Sequence, residues 1–118
     1  MRKIIILLVF VAFGFLTVKP TLAADMPMCE HQTTIASLQE CVMHAYQMGH
    51  IDNKGIANSL NSKLAAAQAA LDRGQTEVAR NLLNAFINQV QAQAGKHIVA
   101  EHAQHLIMHA QLVLGALP

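Results

Sequence analysis

Tryptophan is absent from this 118-residue chain, tyrosine occurs once, and aromatic residues make up 4% of the total. Three of the four phenylalanines (Phe10, Phe13, Phe15) lie close to the N-terminus, so Tyr46 and Phe86 are the aromatic core candidates for the rest. Charged residues are also scarce, at 13%. No run of basic residues is present, which removes the electrostatic footprint expected of a nucleic-acid-binding protein. Neither a glycine-rich phosphate loop nor an HExxH pair occurs; "HAQHL" lacks the glutamate that a zinc peptidase uses as base. Ser37, Ser59 and Ser62 each sit in a helical pattern without an adjacent base or a nucleophile-elbow context. These absences argue against an enzyme.

One long apolar run exists, and its setting explains it. Arg2 and Lys3 precede "IIILLVFVAFGFLTV", and small residues follow around Ala23 and Ala24. A charged start, a short apolar core and a small-residue cleavage pattern form a secretory signal peptide, expected over residues 1–23. The run breaks at Lys19-Pro20, short of the roughly 20 apolar residues that a membrane span needs. The mature chain is then expected to be exported, periplasmic or secreted, with no membrane span. Its basic residues are Lys54, Lys63, Arg73, Arg80 and Lys96, against seven acidic residues, a net charge of −2 with histidines neutral. About 95 residues remain, enough for one small domain with a modest core. The expected organisation is a signal peptide over 1–23, an arm over 24–32 and a four-helix domain over 33–118.

Periodicity supports helices throughout the mature chain. The first segment aligns Ile35, Leu38, Val42, Ala45 and Tyr46 on one stripe and stops at Gly49. The second aligns Ile56, Leu60, Leu64, Ala67 and Leu71 and stops at Gly74. The third carries Val78, Leu82, Phe86 and Val90, with Leu83 and Ile87 beside them, and stops at Gly95. The fourth carries Val99, Leu106, Ala110, Val113 and Leu117. Steps of three and four are helical spacing, and glycine after a helix supplies the left-handed residue that ends it at little cost. Asp52 and Thr76 are the expected N-caps of the second and third helices. Short connections make sequential helices antiparallel neighbours, which gives an all-α, up-and-down four-helix bundle. The alanines of "AAAQAALDRG" allow close approach of the second and third helices.

The same stretch resembles the FIMAH domain, a small helical module found mostly at the C-terminal ends of secreted bacterial proteins. The resembling positions include Gly55-Ile56, Asn58-Ser59-Leu60, Lys63-Leu64, Ala70-Leu71, Gly74, Leu83, Phe86-Ile87, Val90, Gly95 and Ile98. They are core and turn residues. The resemblance therefore implies a helical accessory module without known chemistry, and it brings no site residues with it.

Histidine, methionine and cysteine are left to account for, and they are unevenly placed. None occurs between Ile56 and Ala94, whereas Cys29, Cys41, Met43, His44, Met48 and His50 cluster before that span and His97, His102, His105, Met108 and His109 after it. Two cysteines in an exported chain are expected to pair, and a Cys29–Cys41 disulfide would contribute about 2–3 kcal/mol. At about 100° per residue, His102, His105 and His109 fall within about 60° of one another. Cys41, His44 and Met48 repeat the same offsets. In an up-and-down bundle the first and last helices are neighbours, so the two triplets are expected to face one seam. Imidazole, thiolate and thioether suit copper, nickel or zinc, with Glu101 a further ligand or an acceptor for an imidazole N–H.

Plainer roles stand beside this one. The histidines can be solvated or bonded to nearby backbone, the methionines can fill gaps, and a Cys29–Cys41 bond would withdraw Cys41 as a ligand. Two functions follow for the mature chain. The first is a non-catalytic helical module that contacts a protein or cell-envelope partner. The second is a transition-metal-binding protein using His102, His105, His109, His44 and Met48. A pH response of the clustered histidines is a third possibility.

Overall fold

The computed structural model describes Cys29 and residues 32–118. The expected signal peptide over 1–23 and nearly all of the arm over 24–32, including Met26, Met28 and His31, lie outside the described residues. Four α-helices follow in order: α1 (Ile35–Gln47), α2 (Lys54–Asp72), α3 (Thr76–Gln93) and α4 (Ala100–Gly115). Among the described residues there is no strand longer than an isolated bridge, and no helix is long and apolar enough to cross a membrane. Each helix packs on the next, and α1 packs on α4. The all-α four-helix fold expected from the periodicity is therefore observed.

Local chemistry sets where the helices begin. Thr34 caps α1, its side chain accepting from the Ser37 N–H. The cap of α2 is Asn53, whose Oδ1 accepts from the Ile56 N–H at 3.0 Å, one residue later than the Asp52 expected. Asp52 is engaged elsewhere: its N–H donates to the His97 carbonyl and its carboxylate meets the His97 ring at 2.8 Å. Thr76 is likewise not a cap but the first residue of α3, behind a Gln75 that makes no side-chain capping bond. At Gly74, φ is +75°, the left-handed region that glycine reaches without a Cβ penalty; Gly49 and Gly95 end α1 and α3 in the same region.

The core follows the expected stripes with a small rotation. In α2 the buried residues are Ala57, Leu60, Leu64, Ala67 and Ala70, while Ile56 and Leu71 are partly buried. In α3 they are Ala79, Leu83, Phe86, Ile87 and Val90, with Val78 exposed and Leu82 partly buried. In α4 they are Ala103, Leu106, His109, Ala110 and Val113, with Val99 exposed and Leu117 partly buried. Alanine at the line of contact lets two helix backbones come close, so the neighbouring larger residues move to the flanks. The α2–α3 interface also has a polar clasp: Lys63 Nζ donates to Gln89 Oε1 at 2.8 Å, and Ser59 Oγ donates to the same oxygen at 3.2 Å.

Phe86 is the largest fully buried side chain. Phe86→Ala is expected to cost about 3–5 kcal/mol, a large fraction of the stability of a domain this size. Urea denaturation followed by circular dichroism checks this; a loss below about 1 kcal/mol would mean the site collapses freely around the cavity.

Candidate functional site: the α1–α4 histidine seam

The seam is built by two helices and a pair of crossing loops. The α1–α2 loop meets the α3–α4 loop through the Ile51–Ile98 bridge. The Val99 N–H donates to the His50 carbonyl at 2.9 Å, and the Asp52 N–H donates to the His97 carbonyl at 3.0 Å. This crossing holds the His50 ring over the first turn of α4. His50 and His102 stack with centroids 3.9 Å apart and planes 16° from parallel. His105, one turn further along α4, lies 5.9 Å from His102. His44, from α1, shares with His102, His105 and His109 the lining of a cavity of about 50 Å³ that Cys29, Cys41 and Leu106 complete.

Cys29 and Cys41 form the disulfide expected from sequence, so the Cys41 sulfur is committed to that bond. His109 lies beneath it and is 1% exposed. Its Nε2 stands 2.7 Å from the Gln32 carbonyl. A carbonyl only accepts, so Nε2 carries the hydrogen and donates it. Ser37 Oγ is 3.3 Å from the same nitrogen, and Nδ1 is 3.3 Å from Cys41 Sγ. The ring thus joins α4 to the start of α1 and to the disulfide.

Four of the five residues expected to bind metal meet here: His44, His102, His105 and His109 all line the cavity. Met48 does not. It is the C-cap of α1, its N–H still bonded to the His44 carbonyl as in the helix, and it is 46% exposed and outside the cavity lining. Glu101 is exposed and is not part of the cavity lining. His50 was missed because it belongs to a loop, where helical spacing has no meaning; only the loop crossing brings it to His102. Its one sequence signal is its place directly after the Gly49 stop.

Crowding has an electrostatic result at His102. Burial of the ring, then the neighbouring His50, His105 and His44, hold its pKa below the usual 6.5. The folded chain therefore binds this proton less tightly than the unfolded chain does. The stability contributed is full above about pH 6.5 and falls as the pH drops through that value toward the lowered native one. Chelator-treated protein is expected to melt at a lower temperature at about pH 5.5 than at about pH 7.5, and His102→Gln should flatten that difference. An identical slope in the variant would show that His102 is not the group responsible.

The FIMAH domain model matches residues 35–115, which takes in all four helices and every α1 and α4 residue of the seam. No curated protein and no solved structure matches the chain. Of the positions expected to carry the resemblance, Leu60, Leu64, Leu83, Phe86 and Val90 are fully buried in the bundle, whereas Asn58, Gly74 and Gly95 are exposed. With the family match extending from the first helix to the last, the chain belongs to the FIMAH domain family.

Proposed function

We propose that the protein is an exported, non-catalytic FIMAH module that binds a transition-metal ion, copper, nickel or zinc, at the α1–α4 seam. The observation that carries this reading is the convergence of His44, His50, His102 and His105 from two helices and a loop. Such crowding costs stability whenever the rings are charged, and side-chain rotation would let the rings turn their nitrogens toward a shared ion when they are not. Neutral imidazole is the form that ligates, and the lowered pKa of His102 favours it at neutral pH. His102 and His105 are one helical turn apart, a spacing that allows one ion to be shared. His105 is exposed and His44 partly buried, so both rings have room to turn toward an ion. Ser37 Oγ lies 3.3 Å from His109 Nε2, but that nitrogen carries the hydrogen donated to the Gln32 carbonyl and so does not serve as a base for the buried serine.

A second reading, a protein or cell-envelope partner, is favoured by a different observation. Met108 and Leu112 are 61% and 49% exposed on the outer face of α4, one turn apart. Exposed apolar residues in register on a helix suit contact with another protein.

Native mass spectrometry of the mature, disulfide-bonded protein with added Cu(II), Ni(II) or Zn(II) separates the two. One ion per chain at micromolar concentration is expected, and His102→Ala or His105→Ala should weaken it at least about tenfold. No uptake, or uptake indifferent to both substitutions, would leave the protein or envelope partner as the surviving reading.

A further inference from the structure

We propose that Cys29, Cys41 and His109 form a second metal site, closed while the disulfide is intact and opened by its reduction, for a thiophilic ion such as Zn(II) or Cu(I). None of the three is one of the four imidazoles assigned above, although both sets border one cavity, so the two sites are told apart by the thiolate ligands.

The geometry is that of a ligand set already gathered. The two sulfurs and one His109 nitrogen all lie within 4.8 Å of one another. Ligand atoms that share a tetrahedral zinc are about 3.5–3.8 Å apart, as follows from Zn–S and Zn–N bonds of about 2.3 and 2.0 Å. Once the S–S bond is broken, small side-chain rotations span the difference. His109 is already oriented to ligate. With Nε2–H donated to the Gln32 carbonyl at 2.7 Å, Nδ1 faces Cys41 Sγ at 3.3 Å and is the nitrogen that offers a lone pair to a metal. A remote N–H held by a backbone carbonyl is how metal-bound histidines are fixed in tautomer and direction. The cavity of about 50 Å³ adjoins all three residues and leaves a fourth coordination position. A buried imidazole is also a costly choice for packing alone, because its polar atoms must be satisfied inside the core.

The gating step balances with a dithiol as reductant. A thiolate of the dithiol attacks Cys29 Sγ, the partly buried sulfur, rather than Cys41 Sγ, which belongs to a residue only 1% exposed. The S–S electron pair leaves on Cys41, which takes up a proton. The second thiol of the reductant gives up its proton and attacks the reductant sulfur of the mixed disulfide, Cys29 leaves as a thiolate and takes up a proton, and the reductant departs as its own disulfide. Metal binding releases the two cysteine thiol protons to solvent, and both sulfurs ligate as thiolates.

The test uses Cd(II) as the probe, because its thiolate bonds absorb in the ultraviolet. The mature protein is compared before and after reduction, with the reductant removed under anaerobic conditions. Reduced protein is expected to remain helical by circular dichroism and to take up one Cd(II) with a thiolate charge-transfer band, which oxidised protein lacks. Cys29→Ser should weaken that binding at least about tenfold, and His109→Gln should weaken it while leaving part of the thiolate band. The double variant His44→Ala/His102→Ala should keep the band, because it removes none of the three proposed ligands, although both residues border the same cavity. If His109→Gln does not fold, the Cys29→Ser result decides. Loss of helix on reduction, absence of the thiolate band, or a Cys29→Ser protein that binds as the parent does would each overturn the proposal. Binding to oxidised protein without the band reports the imidazole site alone and would overturn it if reduction added nothing.

Discussion

Two isoleucines in crossing loops, Ile51 and Ile98, are each 1% exposed and lie side by side across an isolated bridge. Their burial, with the backbone bonds on either side, ties the α1–α2 loop to the α3–α4 loop and brings α1 beside α4. Without that tie the chain would still form helical hairpins, but the first and last helices would have only side-chain packing and the hydrogen bonds of His109 to hold them together. The same contact explains the shifted start of α2, because Asp52 is drawn toward His97 and leaves capping to Asn53. It also sets His50 against His102. One loop crossing thus governs closure of the bundle, a helix boundary and the composition of the seam.

The bundle divides chemically along its length of chain. The α2–α3 pair has no histidine, cysteine or methionine between Ile56 and Ala94, and it is joined by alanine contacts and the Lys63–Gln89 clasp. The α1–α4 pair contains the disulfide, the buried His109 and the crowded imidazoles. The first pair reads as a framework and the second as the place where ligand chemistry can occur. The FIMAH match spans both pairs, from the first helix to the last.

Much of this was legible from residue spacing, because helix period and glycine stops are local signals. Leu38, Leu60, Leu64, Leu83, Phe86 and Leu106 could be placed in the core from their steps of three and four alone. The finer rotation was not, since the burial of Ala57, Ala79 and Ala103 at the expense of Ile56, Val78 and Val99 depends on how closely two backbones approach. Sequence alone cannot weigh a small residue at the contact line against a large one beside it. In the seam, the helical histidines His102, His105 and His109 were found by periodicity, and His44 by its matching offset from Cys41. His50 was not, because a loop has no period; Met48 shares the helical offset, but its side chain is 46% exposed and lies outside the cavity lining.

The disulfide has a mechanical consequence as well. Cys29 precedes α1, yet its bond is to Cys41, in the helix's middle turns and 1% exposed. A pull transmitted along the chain from residues before Cys29 is therefore delivered to the flank of the bundle instead of to the first turn at Ile35. Peeling a helix from its end needs little force, because hydrogen bonds break one at a time; dislodging a buried anchor requires several packed contacts to give way together. The covalent loop lets α1 keep its N-terminal turns out of the line of tension.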